Sequence, residues 1–576
     1  MARWTHRTPN PELVRRVAGR CNLHEVAARI LVSRGHEDPE AAEEHLHAAP
    51  KGLHDPFLLP GMQAACERLE RAIADGETIL IHGDYDVDGV TGTSLLVRML
   101  RLVGASVLWH IPNRLVDGYS FGPHSVERAR ETGSTVVISV DNGTSAAETI
   151  AQLKAAGVDT IVTDHHEPPD GPLPDAVAII NPKLHDSTYP WRELCGGAVA
   201  FKLAWGLATH LSPEGGSSPA MKTFLEEACA YVAIATVCDV VPLLDENRIF
   251  ARFGLRALAA TRNPGLAAML DICGLRGRAL GAEDVGFQIG PRINASGRLG
   301  SAQSAVELLL AETEEDARRY AKKLDDLNSE RKDIERGVLE SALAEVEANF
   351  MDQDEHPVLV IAGQGWHQGV VGIVAARLVD RYHRPAIVIG LDGEEGRGSA
   401  RSIEGFSVLE AMKGGGDHML KFGGHEQAAG CEVRADAIGA LRAAVNVRAR
   451  ELFELHGQSD AELCLDAELP LEEITPALMS QLDRLEPFGE QNEKPQFVTA
   501  PLRLARPAVV LGADRRHLRL DVRNGATVMK AMAFGMADRL DELEMGKDLR
   551  LVFTPRWNHW RGDRTLELLV ADFAVD

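Results

Sequence analysis

Short apolar runs and helical patterns alternate along the first third of the chain. From Ile79 to about Pro182, each run of aliphatic and β-branched residues is followed by a polar turn and then by apolar residues at helical spacing. Strands that alternate with helices form a mostly parallel sheet covered on both faces. The predicted elements are the strand Ile79–Ile81, the helix Ser94–Val103 and the strands Ser106–Ile111, Thr135–Val140 and Thr160–Val162.

The pattern changes three times in the rest of the chain. Residues 302–356 contain no proline and are rich in Ala, Glu, Lys, Arg and Leu, which predicts a long helix. A second, smaller α/β unit follows over residues 357–455. Beyond residue 456, alternating apolar and polar positions predict an antiparallel barrel of the OB type, with a hairpin turn at Asn524-Gly525. The elements predicted for the second α/β unit are the strand Pro357–Ala362, the helix Val370–Asp380 and the strand Ala386–Gly390.

The N-terminal residues 1–70 have a polar and helical pattern. Asp38-Pro39 predicts a helix cap and a first-turn proline, and Met62–Ala74 carries apolar residues at helical spacing. We expect this part to cap the first α/β domain. The predicted fold class is therefore α/β, with two α/β lobes joined by a long helix and followed by an OB-like β-barrel. The predicted boundaries are 1–70 for the cap, 71–300 for the first lobe, 301–356 for the connecting helix, 357–455 for the second lobe and 456–576 for the barrel.

Composition narrows the class of protein. A chain of 576 residues is too long for one core and predicts about three or four domains. No apolar run reaches the ~18 residues that a membrane span needs, and the first residues lack the apolar core of a secretory signal. The eight cysteines include no C-x-x-C pair, so we expect reduced thiols and a cytoplasmic location.

Net charge argues against a simple nucleic-acid-binding protein. The 85 acidic residues outnumber the 61 basic ones and give a formal charge of −24, whereas non-specific DNA-binding proteins are usually basic. A large acidic enzyme can still hold a local basic channel, and some of the acids can be metal ligands. The charge lowers the expectation of a nucleic-acid substrate without excluding it.

Candidate metal ligands follow the first predicted strand. His82, Asp84, Asp86 and Asp88 are spaced two apart, so their side chains converge if the chain stays extended beyond the strand. Crowded carboxylates with one imidazole suit Mn²⁺ or Mg²⁺ better than a structural zinc ion. The alternatives are a plain Asp/Gly turn or a calcium loop. The calcium loop is disfavoured because Leu95 stands where the EF-hand pattern needs Glu.

Two further strands and one helix end in polar clusters. Asp141 follows the strand that ends at Val140, and Asp164-His165-His166 follows the strand that ends at Val162. Ligands of parallel sheets bind just beyond the carboxyl ends of the strands, so these clusters predict one site. Asp239 ends an apolar helical stretch and needs a cap partner or a metal. For each cluster taken alone, a turn, a surface histidine pair or a local hydrogen bond remains an alternative.

These segments resemble the four motifs of the DHH phosphoesterase superfamily. The motifs stand here as D-Y-D-V-D-G, S-V-D-N-G, T-D-H-H and T-V-C-D-V-V-P-L. Four later segments resemble the RecJ branch, bacterial exonucleases that degrade single-stranded DNA: G-P-R-I-N-A-S-G-R-L, G-W-H-Q-G-V-V-G-I-V-A, G-S-A-R-S and G-G-H-E-Q-A-A-G. The resemblance covers roughly residues 75–575. It identifies the two lobes as DHH and DHH-associated domains.

The resemblance implies two divalent ions, Mn²⁺ or Mg²⁺, and roles for the residues around them. Asp141 is expected to bridge the ions. His82 occupies a ligand position of related pyrophosphatases. His166 is expected to contact the scissile phosphate or to protonate the leaving group, with Asp164 and Asp84 supporting the ligands. The ligands carried over are Asp86, Asp88, Asp141, His165 and Asp239.

Substrate contacts are expected from the second half of the chain. Glycine-rich stretches let backbone N–H groups approach phosphates, and arginine adds a forked donor. In the barrel, aromatic and basic residues interleave, which suits stacking of unpaired bases. The alternatives are that the glycines only form turns and that the aromatic residues belong to the barrel core. The candidate substrate-binding residues are Arg114, Asn294, Arg298, Ser399, Arg401, His425, Trp557 and Trp560.

The resulting functional hypothesis is a 5′-to-3′ exonuclease that degrades single-stranded DNA to nucleoside monophosphates in DNA repair and recombination. The alternatives are an oligoribonuclease or cyclic-dinucleotide phosphodiesterase of the same superfamily, a pyrophosphatase, a non-catalytic replication scaffold, and an unrelated metallohydrolase. The expected partners are single-stranded DNA, a single-strand-binding protein and a helicase. We expect a monomer that has no association with membranes.

Overall fold

The computed structural model describes residues 3–113, 117, 121–212, 218–457, 462–560 and 563–575. The described residues form two compact units. Met1–His110, Ser120–Gly290 and Glu462–Asp576 belong to the first unit, and Ile111–Tyr119 and Pro291–Ala461 belong to the second. Among the described helices, none combines the length and the apolar composition needed to cross a membrane.

A five-stranded parallel sheet in the order β3-β2-β4-β5-β6 forms the centre of the first unit. Its central strands β2, β4 and β5 are almost entirely buried, as expected when helices cover both faces. The predicted parallel sheet is confirmed. The elements up to residue 290 are β1 (Arg3–His6), α1 (Pro11–Cys21), α2 (Glu25–Ser33), α3 (Pro39–His47), α4 (Met62–Ala74), β2 (Thr78–Gly83), α5 (Val87–Leu102), β3 (Ser106–His110), α6 (Pro123–Thr132), β4 (Val136–Val140), α7 (Ala147–Ala155), β5 (Asp159–Thr163), β6 (Ala178–Ile180), α8 (Gly196–His210), α9 (Pro219–Cys238), α10 (Asp245–Ala259), α11 (Pro264–Ile272) and α12 (Ala282–Asp284).

The second unit contains a long helix and a five-stranded mixed sheet in the order β10-β11-β9-β8-β7. The predicted long helix is α15, which begins after Thr313, whose hydroxyl accepts a hydrogen bond from the Asp316 N–H. Its elements are α13 (Gly290–Leu299), α14 (Gln303–Leu309), α15 (Glu314–Asn349), β7 (Leu359–Gln364), α16 (Val371–Tyr382), β8 (Ala386–Asp392), β9 (Glu395–Arg401), α17 (Val408–Lys413), β10 (Lys421–Gly424), β11 (Ala428–Arg434) and α18 (Ile438–His456).

The C-terminal sheet has the OB-like form that the alternating pattern predicted. Its strands run in the order β13-β14-β19-β20-β18-β17-β15, and a bridge between Leu502 and Leu549 returns the chain beside β15 to β19. The predicted hairpin joins β17 to β18 through Gly525, whose φ is +54°. The elements are β12 (Glu462–Leu465), β13 (Ala467–Glu468), α19 (Pro476–Leu482), β14 (Phe497–Val498), β15 (Arg503–Leu504), β16 (Val509–Leu511), β17 (His517–Asn524), β18 (Thr527–Ala533), β19 (Leu549–Trp560) and β20 (Asp563–Val575).

The N-terminal helices pack on the barrel and also contact the first α/β domain, where the Arg248 side chain of α10 donates to the His45 carbonyl of α3. The sequence predicted only the second of these contacts. Val17, Ile30 and Leu31 share one apolar core with barrel residues such as Phe497. Strand β1 pairs in parallel with β12, and the Trp4 indole N–H donates to Asp572 over 2.9 Å. The reason is that α1 to α3 carry an apolar face that needs covering, and this face meets the barrel. Helix α4 packs on the first lobe through α8 and β6.

A buried ion pair joins two helices of the first lobe. Lys202 of α8 contacts Glu246 of α10, and both side chains are fully buried. The Tyr189 hydroxyl donates to the same carboxylate over 2.6 Å, and the His54 backbone N–H donates to it over 2.8 Å. The paired charges and their hydrogen bonds therefore form one connected polar network inside an apolar core.

We predict that Lys202→Met destabilises the protein strongly because it leaves the Glu246 carboxylate buried without its cation. The free energy of unfolding should fall by about 3–5 kcal/mol, as measured by urea denaturation followed by circular dichroism. The double variant Lys202→Met/Glu246→Gln should recover part of this loss, since it removes the unpaired charge. Lys154→Met, which removes an exposed pair with Asp175, should change stability little. Equal effects of the two lysine variants would contradict the prediction.

Candidate metal centre

The metal centre lies at the carboxyl edge of the parallel sheet, as the strand ends predicted. Asp84 and Asp86 follow β2, Asp141 follows β4, and Asp164 follows β5. Adjacent strands hold these positions together because β2 pairs with β4 and β4 pairs with β5. The structure thus brings distant parts of the chain to one sheet edge.

The first carboxylates converge through a helix start and not through an extended chain. Strand β2 ends at Gly83, and the Asp86 carboxylate caps α5 by accepting hydrogen bonds from the N–H groups of Asp88 and Gly89. Gly89 has no room for a side chain, because a Cβ there would lie 2.5 Å from the Asp84 nitrogen. Residues 87–102 are helical, with Leu95 buried inside α5, so the calcium-loop alternative is wrong.

His165 lies at the centre of the carboxylates. Its Nε2 is 3.2 Å from Asp141 Oδ1, 3.7 Å from Asp239 Oδ2 and 3.8 Å from Asp88 Oδ2. Asp239 is the residue at which α9 ends, as the sequence predicted. Asp141 has φ +63°, a left-handed conformation that is uncommon outside glycine. The structure therefore gathers one imidazole and three carboxylates from four different segments.

The ligand atoms form overlapping groups that suit more than one ion. Oxygens of Asp84, Asp86 and Asp141 lie within 4.8 Å of one another. Asp141 also belongs to a second group, with His165 and His166, and a third group contains Asp88, His165 and Asp239. Asp141 thus belongs to two of the three groups, and its bridging role stays a prediction.

The electrostatics of the site favour a bound cation among these carboxylates. Burial, together with the neighbouring acids, raises the pKa of Asp88 to about 7 and raises the pKa values of Asp141 and Asp239 well above the usual range. Asp141 Oδ1 is buried without a hydrogen-bond partner among the described residues. Oxygen ligands with one neutral imidazole fit Mn²⁺ or Mg²⁺. Burial lowers the His165 pKa to about 3, which keeps its ring available as a ligand.

His166 forms a separate pair with Asp164. The His166 Nδ1 is 2.7 Å from Asp164 Oδ1, and the ring is about half exposed. Asp164 also accepts the backbone N–H groups of Thr144 and His165. Burial opposes ionisation of both groups, but their mutual hydrogen bond and charges outweigh it. The pKa of His166 is raised to about 9, and the pKa of Asp164 is lowered.

Gly196 and Gly197, at the start of α8, belong to the site although the sequence patterns did not predict them. Their backbone N–H groups donate to the two oxygens of Asp88 over 2.6 and 2.7 Å. A Cβ at Gly196 would lie 2.7 Å from the Asp141 Cβ. The signal was the Gly-Gly pair that opens the apolar helix after Cys195, since only residues without side chains allow the helix to approach the carboxylates.

His82 is not grouped with these carboxylates. Its ring centroid is 5.2 Å from that of His110 and 5.3 Å from that of His124, and the Phe121 ring packs edge-on against it at 4.9 Å. The ligand group that contains His82 consists of these three histidines alone among the described residues.

Four of the predicted substrate-binding residues lie in one part of the second unit. Arg298 donates to the Gly369 carbonyl just before α16, and Arg401 donates to the Ser399 hydroxyl over 3.0 Å. A Cβ at Gly372, in the first turn of α16, would lie 2.9 Å from Ser399 Oγ and 3.3 Å from an Arg401 nitrogen. Asn294 lies on α13 with Arg298. His425 is exposed just after β10.

The remaining predictions fall on the barrel or outside the described residues. Trp557 packs against the barrel core, and the Arg564 guanidinium lies 3.8 Å from its ring centroid. The Trp557 ring is partly buried and carries a stacked cation, and its role in substrate binding stays a prediction. Trp560 ends β19, but its side chain lies outside the described part, as does the whole of Arg114.

Comparison with family models gives the class of the protein. Residues 78–236 match the DHH family, N-terminal domain, residues 355–451 match the DHHA1 domain, and residues 465–572 match the RecJ OB domain. The parallel sheet with acids and histidines at its carboxyl edge, together with these matches, defines a phosphoesterase of the DHH class.

Full-length relatives identify the family within this class. The single-stranded-DNA-specific exonuclease RecJ of Bacillus subtilis is 36% identical over 100% of this chain and 71% of its own length, and that of Escherichia coli is 34% identical over 94% of both. The crystal structure of Thermus thermophilus RecJ in complex with Mn²⁺ superposes with a TM-score of 0.82 at 30% identity, covering 99% of this chain and 79% of that one. The chain belongs to the RecJ family of single-stranded-DNA-specific exonucleases. The resemblance predicted from the motifs is confirmed.

We predict that Gly196→Ala weakens metal binding at this centre. The added methyl group would push against Asp141 and displace α8 from Asp88, so Mn²⁺ affinity should fall by about tenfold or more. Isothermal titration with Mn²⁺ measures the change. Gly337→Ala is the matched control, because Gly337 lies inside α15 and a Cβ there meets no atom within 4 Å. Unchanged Mn²⁺ affinity in Gly196→Ala would contradict the prediction.

Proposed function

We propose that this protein hydrolyses single-stranded DNA from the 5′ end and releases nucleoside monophosphates with the help of divalent metal ions. The observation that carries the proposal is the convergence of Asp88, Asp141, His165 and Asp239 in a chain that matches named single-stranded-DNA-specific exonucleases over its length. The pyrophosphatase and small-ester alternatives do not account for the barrel and the second unit.

The proposed ions are a pair of Mn²⁺ or Mg²⁺, held by Asp86, Asp88, Asp141, His165 and Asp239. Structures of the Thermus thermophilus relative in complex with Mn²⁺ and with Mg²⁺ support this choice. Such ions supply an activated water and neutralise charge that develops on the phosphate. The chain contributes the fixed ligand positions, because Asp86 and Asp88 lie at a helix start, Asp141 lies at a strand end and Asp239 lies at a helix end. The Gly196 and Gly197 N–H groups orient Asp88 toward the centre.

His166 is proposed to carry a proton to the leaving oxygen. The hydrogen bond from His166 Nδ1 to Asp164 fixes the ring plane and leaves Nε2 as the second donor. The raised pKa of about 9 keeps the ring protonated near neutral pH. Asp164 is itself held by three backbone N–H groups, so the pair keeps its geometry when substrate enters. Asp84 is proposed to support the ligand loop between β2 and α5.

Phosphate recognition is proposed for the start of α16. The first turn of a helix presents backbone N–H groups that have no partner within the helix. Ser399 and Arg401 lie beside Gly372 in this turn, and Arg298 is bound to the Gly369 carbonyl just before it. These donors fit a terminal phosphate of DNA. His425, Asn294 and Arg114 are proposed as further contacts to the strand.

The barrel is proposed to hold the single strand away from the reacting end. Exposed basic residues on its strands, such as Arg523 and Lys530, are proposed to supply cations for phosphates. Trp557, which is only partly buried, is proposed as a further contact to the strand, whereas Phe553 belongs to the barrel core. The proposed domain division assigns residues 71–300 to the DHH domain and residues 456–576 to the barrel. A single-strand-binding protein and a helicase as partners, the monomeric state and the cytoplasmic location remain predictions.

We predict that Asp141→Ala abolishes hydrolysis and preserves DNA binding. Loss of the shared ligand should lower kcat by about a thousandfold or more, measured as mononucleotide release from 5′-labelled single-stranded DNA with Mn²⁺. Duplex DNA, short RNA, a cyclic dinucleotide and pyrophosphate serve as comparison substrates, with EDTA as the metal-free control. Asp175→Ala, at an exposed acid paired with Lys154, should keep full activity. Preference for any comparison substrate over single-stranded DNA would overturn the proposed function.

We predict that Arg401→Ala weakens binding of 5′-phosphorylated ends in particular. The guanidinium is proposed to bind the terminal phosphate, and loss of a charge-assisted contact costs about 1.5–3 kcal/mol. The KM for 5′-phosphorylated single strands should therefore rise by roughly tenfold or more, with a smaller change for 5′-hydroxyl strands. Arg381→Ala, at the far end of α16, is the control because its side chain pairs with Glu347. An equal rise for both kinds of end would show that Arg401 does not recognise the phosphate.

A further inference from the structure

Three histidines from three elements meet beside the carboxylate centre of the first unit. His82 lies on β2, and His110 is the last residue of β3 and its direct partner in the parallel register. His124 lies in the first turn of α6. The positions are separated by 28 and 14 residues in the chain, so only the fold brings the three rings together. We call this group the histidine triad.

The geometry of the histidine triad fits a metal ion. One nitrogen of each ring lies within 4.8 Å of the others, and the ring centroids are 5.2, 5.3 and 5.7 Å apart. The Nε2 atoms of His82 and His124 are 3.2 Å apart. Two imidazole nitrogens bound to one tetrahedral Zn²⁺ at ~2.0–2.1 Å lie about 3.3 Å apart. The observed separation therefore suits two ligands of the same ion as well as it suits a hydrogen bond between the rings.

The ligand atoms of the histidine triad favour a different kind of metal ion from the one that the carboxylate centre favours. The triad supplies three nitrogens, which suit Zn²⁺ or Co²⁺, whereas the neighbouring centre supplies mostly carboxylate oxygens, which suit Mn²⁺ or Mg²⁺. His82 is fully buried, and its Nε2 faces the Nε2 of His124 inside the group. His110 and His124 are only partly buried, which gives an ion access from solvent.

We propose that His82, His110 and His124 bind one divalent ion of the zinc class at a site separate from the carboxylate centre. This assigns His82 to the histidine triad and not to the pair of catalytic ions. A fourth ligand from water would complete a tetrahedral site. The ion would tie the end of β3 to the start of α6.

The test uses Co²⁺ as the probe in full-length protein saturated with Mn²⁺. Wild-type protein should bind one Co²⁺ ion with the intense visible absorption of four-coordinate cobalt, and Zn²⁺ should displace it. His110→Phe and His124→Gln should each lose this absorption and bind one Co²⁺ ion fewer per chain. His185→Phe, at an exposed histidine outside the ligand groups, should behave as wild type. Circular dichroism checks that the variants are folded.

A second arm keeps the histidine triad intact. Asp141→Ala damages the carboxylate centre, yet it should retain the four-coordinate cobalt spectrum and a rise in melting temperature with Zn²⁺. Loss of the spectrum in Asp141→Ala, or its persistence in folded His110→Phe, would show that cobalt binds among the carboxylates and would overturn the proposal. Absence of the spectrum from wild-type protein would mean that the rings only hydrogen-bond to each other. None of these outcomes depends on nuclease activity.

Discussion

Repulsion among buried carboxylates is the constraint around which the first unit is arranged. Asp88, Asp141 and Asp239 lie together where water does not screen them, and burial raises their pKa values. The backbone dipoles of two helices offset part of this repulsion. The Asp86 carboxylate caps the start of α5, and the first two N–H groups of α8, from Gly196 and Gly197, donate to Asp88. Helix starts supply only partial positive charge, so the arrangement reaches its full stability with cations bound.

Local patterns in the sequence predicted the elements well, since periodicity is a local property. The parallel strands and the hairpin at Gly525 lie where the apolar pattern placed them, whereas the helix predicted over residues 302–356 is divided into α14 and α15. The sequence pattern did not predict the start of α5, because Asp and Gly residues have low helix propensity inside a helix. At the first turn of α5, however, the Asp86 carboxylate caps the helix by accepting backbone hydrogen bonds. The contact of α1 to α3 with the barrel joins positions more than 400 residues apart, and no local pattern reports such a contact.

The sequence predicted most residues of the candidate site, but it did not predict how all of their side chains are oriented. Strand ends gave Asp141 and His165 correctly as neighbours because parallel strands share one edge. The alternation rule also grouped His82 with the acids, yet its ring turns toward His110 and His124. The sequence holds no sign of this, because the direction of a side chain at a strand end depends on the packing of α6. A group of nitrogen ligands and a group of mostly oxygen ligands thus form at the same edge of the sheet.

The shared core of α1 to α3 and the barrel has a consequence for synthesis of the chain. These helices leave the ribosome about 450 residues before β13 to β20, which at ~5–20 residues per second is a delay of roughly 20–90 s. During that interval Ile30, Leu31 and their neighbours have no barrel to cover them. The nascent chain therefore exposes an apolar surface to which chaperones can bind. The shared core forms only when both α1 to α3 and the barrel have been synthesised.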